Sequence, residues 1–110
     1  ILEYNIDVKI ILLNNNYLGM VRQWQELFFD ERYSETHLKN PDFVKIAEAY
    51  GIRGRKVTDR KELDSAIEEM LSHEGAYLLE AVVETKGMVY PMVPAGGSVT
   101  DILIGNGHKL

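Results

Sequence analysis

Three consecutive asparagines, Asn14-Asn15-Asn16, close an apolar run and are followed by Tyr17 and a helix-like pattern. An Asn carboxamide oxygen and a backbone carbonyl are neutral oxygen donors. Mg²⁺ prefers an octahedron of oxygens and often shares it with a diphosphate. Ligands in open α/β sheets bind beyond the carboxyl ends of the strands, and a helix N-terminus favours a phosphate. Residues 14 to 17 stand at such a junction. On residue chemistry alone the turn reading leads, because Asn tolerates unusual backbone angles.

The other chemistry-bearing residues are scattered. His37, His73 and His108 lack metal-ligand spacing and read as surface residues. Asp30-Glu31-Arg32 and Glu68-Glu69 read as solvated charge. Ser34 and Ser98 have no adjacent base, so nucleophilic catalysis is unsupported.

The elements that position the asparagines follow from periodicity. Residues 7–13 contain VKIILL, a β-branched apolar run suited to a strand covered on both faces. Met20, Val21, Trp24, Leu27 and Phe28 share one face of a helix over 18–28. Residues 29–39 are polar, without a clear period, and read as a loop. A second helix is expected over 41–50, with Asn40 as N-cap, Pro41 in the first turn and a buried stripe of Phe43, Ile46, Ala47 and Tyr50. A strand over 54–57 follows. Asp59 and Glu62 resemble a capping box for a helix over 60–73, where Leu63, Ala66, Ile67, Met70 and Leu71 give the clearest period in the chain. Residues 76–84 form a third strand, and 85–110 an irregular tail. This order predicts an α/β fold, a three-layer parallel sheet that is half of a doubly wound domain. Three strands leave apolar edges that need a neighbour.

Composition excludes several classes. The 110 residues carry net charge −5 and no basic patch, which argues against nucleic acid. No apolar stretch is long enough for a membrane span, so no membrane partner is expected. The absence of cysteine excludes a disulfide scaffold and fits a reducing, cytoplasmic setting. The chain opens on Ile1 without a Met, as expected of a piece cut from something longer.

The run NNNYLGMVRQWQ adds a family resemblance. Thiamine-diphosphate enzymes share a motif opening with Gly-Asp-Gly and closing with Asn-Asn after an apolar strand. The continuation Leu-Gly-Met-Val-x-Gln-Trp is similar to the catalytic subunits of acetolactate synthase (acetohydroxyacid synthase). EYNIDVKI, NPDFVKIAEAYGI and VYPMVPAG resemble that family too, so the likeness covers nearly the whole chain. It implies the C-terminal half of a thiamine-diphosphate-binding domain.

The resemblance also implies roles. Asn15 would give its side-chain oxygen to Mg²⁺, and Tyr17 its backbone carbonyl. Gly19 and Met20 would lie against thiamine diphosphate. Val21 and Trp24 would face the substrate channel; without the resemblance Trp24 reads as a half-buried helix aromatic. The loop from Asp30 would be a lid over the cofactor. The parent enzyme would decarboxylate pyruvate and condense the two-carbon unit with a second 2-oxo acid, in branched-chain amino acid biosynthesis. Its Gly-Asp-Gly Asp, its activating glutamate and its FAD domain would lie outside these residues, leaving the isolated chain without a catalytic residue and inactive. Its partners would be the remainder of the catalytic subunit, a second copy in a homodimer or tetramer, and a regulatory small subunit. The alternative is a stand-alone α/β binding or assembly module that kept the fold without the chemistry.

Overall fold

A computed structural model describes residues 1–105 and the backbone of 108–109. In chain order the elements are strand β1 (Lys9–Asn14), helices α1 (Gly19–Phe28) and α2 (Phe43–Ala49), strand β2 (Arg53–Val57), helix α3 (Leu63–Ser72), and strands β3 (Tyr77–Val82), β4 (Leu103–Gly105) and β5 (His108–Lys109). They form two compact units, Ile1–Asn16 with Lys39–Glu84, and Tyr17–Leu38 with Thr85–Leu110.

The first unit holds a parallel sheet of order β1-β3-β2. Strand side chains alternate between faces. On one face, Ala66 and Met70 of α3 pack with Leu63 and Ile67 against Val57, Tyr77 and Leu79. Each large apolar side chain buried here contributes about 1.5–3 kcal/mol. Gly54 points to the other face, where a Cβ would meet Val44 Cγ1 of α2 at 3.3 Å. The sheet therefore lies between α2 and α3, the three layers expected.

Coverage of β1 differs from expectation. Asn14 is buried and Ile10 and Leu12 are half-buried, but Ile11 is 54% and Leu13 69% exposed. These two register beside Leu79 and Ala81 on the α3 side of the sheet. β1 is an edge strand in this sheet, and α3 packs on β2 and β3.

Several element boundaries also move. The second helix is capped by Asp42, whose side chain accepts the Lys45 N–H, and not by Asn40. Asn40 is engaged elsewhere, as described below. Ala47 is buried and Phe43 half-buried, but Ile46 and Tyr50 are exposed, so the α2 stripe is narrower than its sequence implies. Asp59 accepts the Lys61 N–H and opens a 3₁₀ turn, Arg60–Glu62, before α3 begins. Leu71, at the end of the α3 stripe, is exposed.

The second unit contains α1, the loop after it, and the tail. The tail is not wholly irregular. Ser98 and Asp101 form a reciprocal capping box around the turn Val99–Asp101, Met92 bridges Leu103, and β4 pairs antiparallel with β5. No described helix is long and apolar enough to cross a membrane.

Candidate functional site

In the first unit, the asparagine turn is built at the carboxyl end of β1. Asn14 Oδ1 accepts the Asn16 N–H at 2.9 Å, an Asx turn that lets Asn16 sit at φ 59°. Asn40 Nδ2 donates to Asn14 Oδ1 at 2.9 Å and to Asn16 Oδ1 at 3.3 Å. Asn14 Nδ2 donates to Glu80 Oε1 at 2.7 Å, and Lys56 Nζ reaches the same oxygen at 3.0 Å. Asn15 lies half-buried between the two clamped asparagines. Every neighbour that shapes its turn is thus fixed by hydrogen bonds.

In the second unit, α1 begins at Gly19 with Leu18 as N-cap. No side chain caps it and its first turn holds no acid. Its N-terminal N–H groups and positive dipole end suit an anion. Leu18 N–H donates to Thr36 O at 2.8 Å, and Tyr17 forms an antiparallel bridge with His37.

The burial of α1 is inverted. Its buried residues are Arg22 and Gln23. Gln23 pairs with the backbone of Val89 through both carboxamide atoms. The Arg22 guanidinium lies 4.9 Å from the Tyr33 ring centroid and 5.7 Å from that of Tyr17, and it bonds Glu26 at 2.7 Å. Partial desolvation, then donation to Glu26, holds the Tyr33 phenol above its ordinary pKa. The loop after α1 is tied down further by Gln25, which accepts the Ser34 N–H and donates to Ser34 O.

The apolar face of α1 is the exposed one. Met20 is 47%, Val21 50% and Trp24 36% exposed. These three line a cavity of about 410 Å³ with Gln25 and Phe29. Trp24 and Phe28 stack edge-to-face at 5.5 Å.

The structure brings Met20, Val21 and Trp24 together on one cavity wall. Gly19 stands at the start of the same helix. Asn15 belongs to the first unit and Tyr17 to the second. Four polar residues that shape these two neighbourhoods were missed by sequence reasoning: Arg22, Gln23, Asn40 and Glu80. Glu80 had a signal, a lone charge within YLLEAVV. No group of three or more His, Cys, Asp or Glu able to hold a metal occurs among the described residues. The first unit's turn offers the neutral carboxamide oxygen of Asn15, a donor type that Mg²⁺ accepts beside a diphosphate; the second unit's α1 offers N–H groups that suit the diphosphate itself.

The family model "Thiamine pyrophosphate enzyme, C-terminal TPP binding domain" matches residues 1–81. The chain belongs to this family. Among thiamine pyrophosphate enzymes it is similar to the mitochondrial acetolactate synthase catalytic subunit of Saccharomyces cerevisiae, 53% identical over 88% of this chain and 14% of that one. It is 48% identical to the acetolactate synthase isozyme 2 large subunit of Escherichia coli, over 89% of this chain and 18% of that one. The mitochondrial catalytic subunit of Aspergillus candidus is 43% identical over 94% of this chain and 15% of its own length. The chain thus spans less than a fifth of these relatives. A solved thiamine diphosphate-dependent 4-hydroxybenzoylformate decarboxylase of Rhodococcus jostii superposes with TM-score 0.65 at 28% identity, over 77% of this chain and 16% of that one. The parallel three-layer sheet is therefore a thiamine-pyrophosphate-binding fold.

Proposed function

We propose that the 110 residues are the C-terminal part of the thiamine-diphosphate-binding domain of an acetolactate synthase. The parent enzyme decarboxylates pyruvate and condenses the two-carbon unit with a second 2-oxo acid. The observation that carries this reading is the inverted helix α1. Its polar residues Arg22 and Gln23 are spent on internal bonds, while Met20, Val21 and Trp24 line an open apolar cavity. A helix built only for its own fold would bury that face.

In this reading Asn15 gives its carboxamide oxygen to Mg²⁺ and Tyr17 its backbone carbonyl. Gly19 and Met20 lie against thiamine diphosphate, and Val21 and Trp24 line the substrate channel. The bound cofactor supplies the carbanion chemistry. These residues bind and orient it, and the apolar wall excludes water. The chain supplies no acid or base of its own to the reaction. FAD, a second copy of the subunit and a regulatory small subunit belong to the same proposal, as does a cytoplasmic setting.

The test is acetolactate formation from pyruvate with Mg²⁺ and thiamine diphosphate. The full-length gene product is expected to turn over, and the excised 110 residues to show none. A full-length product that binds thiamine diphosphate but makes no acetolactate would overturn the reading.

A further inference from the structure

Glu80 sits in the middle of the central strand and is 0% exposed. It registers opposite Lys56 on β2 and Leu12 on β1, two register positions from Asn14 and on the same face of the sheet. Its Oε1 takes both hydrogen bonds, from Asn14 and Lys56, while the buried Oε2 has no hydrogen-bond partner among the described residues. A buried carboxylate with an unsatisfied oxygen is a poor stabilising device. Breaking such a pair is costly, but replacing it with a well-packed apolar group is often neutral or favourable. Stability alone therefore does not account for a charge at this position.

What Glu80 does provide is direction. A carboxamide is ambiguous: its oxygen and nitrogen can exchange places by a half-turn. A carboxylate can only accept, so it selects Asn14 Nδ2 and turns Oδ1 the other way. That oxygen then accepts from the Asn16 N–H and from Asn40 Nδ2. The Asx turn around Asn15 depends on this orientation.

We infer that Glu80 is a positioning residue that acts through Asn14 to shape the turn presenting Asn15 to Mg²⁺. This rests on the proposed role of Asn15 as a metal ligand. Partners of metal ligands typically alter metal affinity by about 10- to 100-fold when removed.

The experiment titrates Mg²⁺ against the full-length gene product with saturating thiamine diphosphate, by calorimetry, alongside a thermal melt. Glu80→Leu keeps the volume and removes the acceptor. It is expected to melt below the wild-type temperature, since Asn14 Nδ2 and Lys56 lose their acceptor, yet to fold, and to bind Mg²⁺ at least about tenfold more weakly. Glu80→Gln keeps an oxygen for Asn14 Nδ2 and is expected to recover affinity to within about threefold of wild type. A folded Leu variant with wild-type Mg²⁺ affinity overturns the inference, and so does a Gln variant as weak as Leu. If Glu80→Leu does not fold, Glu80→Met replaces it. Failure of both to fold overturns the inference too, since stability is then what Glu80 supplies. Wild-type protein that needs no Mg²⁺ for thiamine diphosphate overturns the reading of Asn15 itself, and is thereby distinguished from failure of the Glu80 assignment.

Discussion

The carboxamide of Gln23 and the backbone of Val89 form a closed pair: Oε1 accepts the Val89 N–H at 2.7 Å and Nε2 donates to Val89 O at 2.9 Å. Gln23 is 1% exposed whereas Val89 is 60% exposed, so the pair is anchored on a buried side chain and only partly shielded from water. Through this pair α1 supports a segment of the tail that has no ladder partner among the described residues.

Gln23→Met keeps the shape and removes both bonds. It leaves two backbone groups of Val89 without a partner, at about 1–3 kcal/mol for each one that stays buried. With Val89 partly open to water, the expected loss is about 1–3 kcal/mol, read by urea unfolding followed at the lone tryptophan, Trp24, in the excised chain. A shift of the midpoint worth less than about 0.5 kcal/mol would show that water replaces the lost partners.

Glu69 on α3 is held by Arg53 and Arg55 of β2, each at 2.9 Å. The hydrogen bond from Arg53, then that from Arg55, keeps its carboxyl below its ordinary value of 4.5. A lowered folded-state pKa means stability that is present above the unfolded value and lost as pH falls through the folded one. Wild type is therefore expected to exceed Glu69→Gln in stability at neutral pH, with the gap closing below pH 4.5. A gap that stays constant across that range in paired thermal melts would refute the linkage.

Gly54 is where α2 approaches β2. A Cβ there would lie 3.2 Å from Leu78 O and 3.3 Å from Val44 Cγ1. The first neighbour is backbone and cannot swing aside. Gly54→Ala is expected to cost about 1–3 kcal/mol by pushing α2 off the sheet. Pairing it with Val44→Ala should recover part of that cost, since only the Val44 contact is relieved; a double variant whose losses simply add would argue against steric conflict.

Ile11 and Leu13 form an uncovered apolar row along the edge strand. The excised chain is expected to self-associate through it. Sedimentation should show larger species that recede in Ile11→Thr/Leu13→Thr. Equal association in that variant would move the sticky surface elsewhere, with the α1 face the next to test.

The proposed roles of Asn15 and Trp24 are separable by measurement. In the full-length gene product Asn15→Ala should weaken Mg²⁺-dependent thiamine diphosphate binding by about tenfold or more, while Trp24→Leu should leave it unchanged and alter KM for the 2-oxo acid. Loss of cofactor affinity in Trp24→Leu would assign Trp24 to the cofactor instead.

The sequence disclosed most where side chains follow the simplest rules. Leu63, Ala66, Ile67 and Met70 repeat at helical spacing and do pack on the sheet. VKIILL and YLLEAVV become β1 and β3 because β-branched, apolar runs suit a parallel sheet. Helix α1 had the right period but the wrong polarity. Hydrophobic patterning assumes that apolar faces point inward, and here Arg22 and Gln23 do so instead. Asn40 resembled a cap because capping is the common use of Asn before Pro, yet its amide bonds Asn14 and Asn16 across the turn. Such long-range pairings leave no local trace. The Asn-rich turn and the apolar face of α1 were each legible in the sequence, and the residues that support them, Asn40 and Glu80 for the one and Arg22 and Gln23 for the other, were not.

The strand order β1-β3-β2 carries a consequence for synthesis. Among the described strands of this sheet β1 pairs with β3, and Glu80 lies 66 positions after Asn14. At roughly 5–20 residues per second, a ribosome delivers Glu80 about 3–13 seconds after Asn14. During that interval the asparagine turn has no carboxylate to orient it and β1 has no neighbour in this sheet. β2 likewise waits for the strand that joins the two. The asparagine turn is therefore made early and shaped late, and its geometry is set only when the last strand of the sheet slides between the first two.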